Sequence, residues 1–352
     1  MSAPAPTREK LSEGFRAQAR GCAGQGSPIY AELLERAAVD LERGGVFWDV
    51  VADYRGEPLL DALPLRILGA VHAMALEGRA PGLAAFFPST GGRFEPEGAW
   101  RALLELVQAH REELRVAAVE RRVQTNEVRR SAVLLPGFLR AAQRTRLPLR
   151  IREIGASSGL NLLFDRYRYQ LGPHAFGDPA SPLLLSTEWS GGAPDLDAPL
   201  RVASRRGCDV APIDLRDPAE HRKLQSFIWP EHLERMERLR AALAIAAASP
   251  PVVERAPAGA WVEREVAPAA GETMLLFQSV VWWYIPEAER EQITRWMEHA
   301  GARAARDAPL AWLRMEGARI EEAELRLRLW PDGTDVLLAA VDWHGRSVRW
   351  LG

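Results

Sequence analysis

The sequence predicts an α/β fold, with a mostly parallel sheet closed by a C-terminal antiparallel hairpin and preceded by an all-helical N-terminal domain. Three observations predict it. Residues 1–145 carry apolar positions at helical spacing and no strand-like alternation. The stretch Leu149-Arg-Ile-Arg-Glu-Ile-Gly-Ala-Ser-Ser-Gly-Leu-Asn-Leu-Leu-Phe164 then reads as a strand, a Gly-Ser turn and the opening of a helix. Beyond it, short apolar runs alternate with helical segments until the tail, where Leu325, Leu327 and Leu329 alternate with Arg326 and Arg328. The expected division is a helical domain over 1–145 and an α/β domain over 146–352, with a hairpin inserted at 167–189.

Taken in order, residues 1–10 are Pro/Ala-rich and expected to fray. Ser27-Pro28 opens a helix that Gly44-Gly45 closes, another spans Leu63–Leu76, and a third spans Trp100–Leu114. Gln124-Thr-Asn-Glu-Val-Arg-Arg130 is a polar cluster leading into the apolar run from Val133. It reads either as a solvated face with Thr125 or Asn126 as a helix cap, or as a lid carrying substrate contacts Gln124, Asn126 and Arg130. After the Gly-Ser turn, Tyr167–Leu171 and Leu183–Trp189 read as the two strands of the hairpin, joined by the turn-rich Gly177-Asp-Pro-Ala-Ser-Pro182. Leu200–Leu215 follows, with Gly207-Cys-Asp209-Val-Ala-Pro212 in its second half, and a long amphipathic helix covers Ala219–Ala248. Pro251-Val-Val-Glu-Arg gives a third strand, followed by Trp261. The fourth, Thr273–Pro286, is apolar at its start, as a central parallel strand should be, and polar and aromatic at its end. A helix over Glu287–Ala300, a fifth strand over Leu310–Met315 and the alternating tail complete the chain.

Composition excludes several classes. With 352 residues there is ample material for a buried core, and a formal net charge of −2 gives no global field to recruit nucleic acid or an anionic membrane. Two cysteines, Cys22 and Cys208, make no disulfide framework, so a cytoplasmic home is expected. The N-terminus has no apolar core, so no signal peptide is expected, and the apolar run Met274–Ile285 is too short to span a bilayer. Lys10 and Lys223 are the only lysines, which removes Walker A phosphate binding and disfavours Schiff-base chemistry. The seven histidines show no ligand spacing, so no metal site is expected.

Two chemistries compete for the Gly-Ser turn. Glu153-x-Gly155-x-Ser157-x-Gly159 resembles the first motif of class I S-adenosylmethionine-dependent methyltransferases. Gly155-Ala-Ser157-Ser-Gly159 equally satisfies Gly-x-Ser-x-Gly, the nucleophile elbow of serine hydrolases. The hydrolase would need an acid and a histidine downstream, with Asp307 or Asp335 and His344 as candidates. No oxyanion-loop glycines precede the turn, and no strand pattern precedes it either.

Five strands alternating with helices and then an antiparallel hairpin resemble the Rossmann-like class I methyltransferase layout over roughly 146–352. Gln124-Thr-Asn-Glu, Glu153-Ile-Gly-Ala-Ser-Ser-Gly-Leu-Asn-Leu, Gly177-Asp-Pro-Ala-Ser-Pro, Arg206-Gly-Cys-Asp and Leu310-Ala-Trp-Leu-Arg-Met-Glu316 resemble the blocks of a bacterial domain-of-unknown-function family, number 2332, across nearly the whole chain. The methyltransferase resemblance implies S-adenosylmethionine as cofactor and a small molecule as methyl acceptor. Glu153, Gly155, Ser157, Gly159 and Asn161 would then line its methionine and ribose end. Asp209 would hold the ribose diol, with Glu188 the alternative acid because Asp209 lies far beyond the turn. Trp261 would approach the adenine, while Gln278, Ser279, Trp282 and Tyr284 would face the methyl group and acceptor. Glu127, Asp178, Glu188 and Tyr284 are the candidates for a general base, which methyl transfer does not require. The helical domain and the hairpin would close the pocket. The alternative to an enzyme is a cofactor-binding sensor or partner subunit.

Overall fold

The computed structural model describes residues 7–317 and 322–352. The expected fraying of residues 1–10 lies outside the described residues as far as residue 6, and from Arg8 the chain is helical. Helices α1 (Arg8–Gly24), α2 (Pro28–Glu42), α3 (Val46–Val51), α4 (Leu63–Leu76), α5 (Pro81–Ala84), α6 (Pro96–Ala109), α7 (Arg111–Glu120) and α8 (Arg130–Thr145) lead to strand β1 (Leu149–Ile154). Then follow β2 (Arg168–Leu171), β3 (His174–Phe176), β4 (Leu184–Ser190), β5 (Val202–Asp209), α9 (Pro218–Ser226), α10 (Leu233–Ala248), β6 (Val253–Arg255) and α11 (Ala258–Glu265). The chain ends with β7 (Thr273–Ser279), α12 (Glu287–Gly301), β8 (Leu310–Gly317), β9 (Ala323–Trp330), β10 (Thr334–Val341) and β11 (Ser347–Trp350).

Two compact units emerge, one of Met1–Thr125 with Asp217–Glu237, the other of Asn126–Arg216 with Arg238–Gly352. The first is helical. Ser27 caps α2 by accepting from Tyr30 N, and Pro28 sits in its first turn, where its missing N–H costs nothing. Leu33, Leu34 and Leu41 of α2 pack with Phe15 and Phe47, and Phe47 stacks on Trp100 with centroids 5.9 Å apart. The single helix expected over Trp100–Leu114 is two, because the chain turns at His110 between α6 and α7. The long helix expected over Ala219–Ala248 is also two. Pro230 disfavours helical geometry at Trp229 and interrupts the segment between α9 and α10.

The second unit is built on an eleven-stranded sheet in the order β3-β2-β4-β11-β10-β9-β8-β7-β1-β5-β6. Strands β6, β5, β1, β7 and β8 are parallel neighbours. In chain order these five stand 3-2-1-4-5, a doubly wound arrangement whose order reverses at β1 and β7. Strand β7 is buried at every residue, as its unbroken apolar run predicts. Strands β8 to β11 form the expected antiparallel meander. Helix α8 lies in the sheet unit, which begins at Asn126 and not at 146. Gly137 on it leaves no room for a Cβ against Leu313 of β8, and Phe138 stacks on Phe164 at 4.0 Å and meets Phe277 edge-on at 5.1 Å.

Two further expectations are corrected. The segment 167–189 is no inserted antiparallel hairpin. Strand β2 pairs antiparallel with the short β3 but parallel with β4, and β4 pairs parallel with β11, so all three extend the edge of the sheet. Nor does an α-helix open from the Gly-Ser turn. Leu160–Arg166 is a 3₁₀ segment with a kink at Leu163. Its carbonyls are drawn outward, since Tyr167 Oη donates to Leu160 O at 2.6 Å and Tyr169 Oη to Phe164 O at 2.5 Å. Tyrosine hydroxyls take the acceptors that a continuing helix would use.

Candidate functional site

The Gly-Ser turn stands at the carboxyl end of β1, at the point where the strand order reverses and open α/β sheets bind their ligands. Gly155 (φ +66°) and Gly159 (φ +78°) lie in the left-handed region that glycine tolerates. A Cβ at Gly155 would run into Val281, and one at Gly159 would lie 2.8–2.9 Å from Val253 and Pro251. The glycines thus serve the turn's own packing. Ser157 adopts φ +54° without being glycine, and Val280, just past β7, adopts φ +55°. A β-branched residue in that region is an outlier, and such strain collects at functional sites.

Asp209 ends β5 beside the turn and organises it. Its Oδ2 accepts from Ser157 N at 2.9 Å and its Oδ1 from Ala211 N at 2.8 Å. Each carboxylate oxygen keeps a further acceptor position. Glu153, the penultimate residue of β1, is buried, and its Oε2 has no hydrogen-bond partner. Burial first, and the Asp209 charge second, push its carboxyl well above the usual range, while Arg130 opposes both. Ser157 Oγ is likewise buried without a partner.

Ahead of α8, Asn126 Oδ1 accepts from Ser158 Oγ at 2.6 Å and from Leu160 N at 3.0 Å, so it caps the 3₁₀ segment after the turn. Glu127, also buried, accepts from Arg129 N at 3.2 Å. Arg130 spans two strand ends, donating to Ser279 O at 3.3 Å and to Trp343 O at 3.0 Å. Gln278 is fully buried. It donates to Glu316 Oε1 at 3.3 Å and accepts from Trp312 Nε1 at 3.1 Å, so its amide is satisfied by side chains alone.

Glu316, at the end of β8, entered the sequence reading only as the last residue of a family block. Its Oε1 also accepts from Val281 N at 3.2 Å and Trp282 N at 3.3 Å, while its Oε2 is buried and unpartnered. Burial outweighs those donors and raises the carboxyl to about 7. The available signal was an acid directly after the strand pattern Leu310–Met315, at a parallel strand's carboxyl end.

The structure therefore brings together Asn126, Arg130, Glu153, Ser157, Asp209, Gln278 and Ser279, all at or beside the carboxyl ends of the central strands. Other candidates lie elsewhere. Glu188 is exposed on β4, with β11, β10, β9, β8 and β7 between it and β1. Asp178 is an exposed turn residue holding Ala180 N. Asn161 is buried and accepts from Ser131 Oγ at 2.8 Å. Trp261 is fully buried in the core packed around α11 and α12. Tyr284 is exposed at the rim, Trp282 packs edge-on to Trp312, and Gln124 falls in the helical unit. A cavity of about 740 Å³ opens at the opposite ends of the strands, with Arg140, Thr145, Arg306 and Trp330 in its lining.

Among the described residues no cluster of His, Cys, Asp and Glu could hold a metal ion, and no helix is long and apolar enough to cross a membrane. The family model for an uncharacterized protein conserved in bacteria (DUF2332) matches residues 12–350. The chain belongs to that family. Comparison with the curated proteins and with the solved structures gives no match. The match spans residues of both compact units.

Proposed function

We propose that the protein binds S-adenosylmethionine at the carboxyl ends of β1 and β5 and methylates a small molecule. The observation that carries this reading is the pair of acids around one turn at the reversal of strand order. Asp209 has acceptor positions left for a diol, and Glu153 has a buried oxygen without a donor. A ribose presents paired hydroxyls and an amino acid presents an ammonium group, so these two acceptors fit the cofactor's two polar ends. When bound, the cofactor would supply an electrophilic methyl group on cationic sulfur. Asp209 would orient the ribose, Glu153 would hold the ammonium, and Arg130 would keep the loops after β7 and β10 in place. Positioning of the acceptor then accounts for much of the catalysis.

The test is thermal unfolding with S-adenosylmethionine, S-adenosylhomocysteine and NAD, on the wild type and on Asp209→Asn, which retains an acceptor for Ser157 N. At 100 times its dissociation constant a ligand should add about 2.7 kcal/mol. A raised midpoint with the two adenosyl ligands alone, diminished in the variant, is expected. No shift with either would overturn the reading.

One observation favours a second reading. Ser157 holds the positive φ of a nucleophile elbow, with a buried Oγ. That hydroxyl has no base hydrogen-bonded to it, which leaves the serine unactivated in this arrangement. Ester hydrolysis abolished by Ser157→Ala would establish the second reading in place of the first.

A further inference from the structure

The cavity at the amino ends of the parallel strands lies apart from the candidate site, with the seven residues of β7, about 20 Å, between the two ends of the sheet. The last turn of α8, the loop after β4, the loop before β8 and the turn after β9 wall it. Thr145 fixes the α8 end, accepting from Thr273 Oγ1 at 2.8 Å at the start of β7. At about 740 Å³ the cavity falls within the roughly 300–1,000 Å³ of small-molecule sites. Three arginines line it. Arg140 and Arg144 stand four residues apart on α8, and so on one face, while Arg306 comes from the loop before β8. Arg140 is paired with Asp195 through Nε. Among the described residues the guanidinium groups of Arg144 and Arg306 have no hydrogen-bond or ion-pair partner, and Asp332, the second acid of the cavity, pairs with none of the three. Arginines on the neighbouring strand β9 are built differently: Arg328 forks onto Glu298, with Nη2 3.0 Å from Oε2, and Arg326 donates to Glu324 at 2.9 Å. Nor does the end of α8 need the arginines as caps, since Ala141 O accepts from Thr145 Oγ1 at 2.9 Å and Ala142 O from Arg146 N at 2.8 Å.

We propose that this cavity binds a small molecule carrying two or more oxyanion charges, held by Arg144 and Arg306 with Arg140 beside them. The class follows from the donors. A guanidinium presents a planar fork of N–H groups that matches two oxygens of one carboxylate or phosphate. Two uncommitted forks from separate segments suit a ligand with more than one such oxygen pair. Three arginines against two acids, one of them already spent on Arg140, disfavour a cation. A neutral apolar molecule would desolvate two guanidinium groups and give them no acceptor. Asp332 opposes the anion from the wall of the same cavity and so limits its affinity. The inference is independent of the methyl-transfer reading, which concerns the other end of the sheet.

Calorimetric titration of the full chain with inorganic pyrophosphate and with citrate, in a chloride buffer, tests this. Phosphate and carboxylate share the paired-oxygen chemistry, and the probe that binds more tightly identifies which of them the cavity is built for. At least one should bind at millimolar concentration or below. Arg144→Gln and Arg306→Gln should each weaken that binding about tenfold, or 1.4 kcal/mol. Both residues are exposed, so the variants keep the core, and an unchanged urea midpoint checks this. Asp332→Asn should tighten binding, because it removes the opposing charge from the wall. Arg303→Gln takes the same charge from an exposed residue just before the loop's cavity-lining Arg306, without lining the cavity itself, and should leave binding unchanged. No binding of either probe at millimolar concentration would overturn the proposal. So would affinity that survives Arg144→Gln and Arg306→Gln, or an equal loss in Arg303→Gln, which would reduce the effect to general surface charge.

Discussion

His72 in the helical unit and Glu153 in the sheet unit are both buried ionisable groups, and they are built in opposite ways. His72 Nδ1 lies 3.1 Å from Ser226 O and its Nε2 2.8 Å from Ser89 Oγ. A carbonyl only accepts, so Nδ1 carries the proton and Nε2 accepts from the serine. Phe87 meets the ring edge-on at 5.6 Å. Every polar atom is used, and burial lowers the imidazole to about 4, which keeps it neutral. Glu153 Oε2 and, at the next strand end but one, Glu316 Oε2 have no partner. The lesson is that burial does not by itself mark a site. A satisfied buried histidine is scaffold, whereas an unsatisfied buried acid at a strand end marks a candidate site.

The largest expected effect separates the two kinds. His72→Ala removes a packed ring and strands Ser226 O and Ser89 Oγ, a loss of about 3 kcal/mol. Glu153→Gln keeps the shape and removes a group that burial already disfavours as a charge, so stability should stay within about 1 kcal/mol of wild type. Urea unfolding measures both. A large loss in Glu153→Gln would mean that this acid is scaffold too.

Titration sharpens the contrast, because the two shifts have opposite signs. The His72 pKa falls on folding from 6.5 to about 4. Its contribution is therefore complete above 6.5 and is lost as pH falls towards 4. The Glu316 pKa rises on folding from 4.5 to about 7. Its contribution is complete below 4.5 and is lost as pH rises through 7. Each window is worth at most about 3 kcal/mol. In Glu316→Gln the loss of stability as pH rises from 4.5 to 7 should thus shrink, while the His72 loss as pH falls below 6.5 remains. If that variant keeps the wild-type slope between 5 and 7, another group sets it.

How much of this was legible in the sequence follows from the range of the interactions. The strand and turn at Leu149–Gly159 announced themselves through adjacent residues, and so did the meander, through the alternation of Leu325–Leu329. Asp209 was readable as the acid ending a strand, and it does reach the turn. The parallel pairing of β2 with β4 was not readable, because β4 is placed by β11, which lies at the far end of the chain. The 3₁₀ segment was hidden for a similar reason: its cap is Asn126 and its carbonyls go to tyrosines on β2. Glu316 stayed obscure because its donors, Val281 N and Trp282 N, are backbone groups on a loop whose course depends on Val280.

The smallest expected effect bears on strain. Ser157 and Arg146 both hold positive φ, at 54° and 57°, but Arg146 does so as the C-cap of α8, where such geometry is ordinary. Glycine tolerates this region without a Cβ clash, so each substitution to glycine should raise stability by about 1 kcal/mol. Their consequences for binding should diverge. Arg146→Gly should leave the adenosyl-induced midpoint shift unchanged, because α8 ends at the opposite end of the sheet from the turn. Ser157→Gly removes the buried, unpartnered Oγ and loosens the backbone that Asp209 holds, so the same shift should shrink. A gain in stability at both positions with binding lost only at 157 would identify the turn's strain as part of the site. Equal binding in both variants would make it a feature of the chain reversal alone.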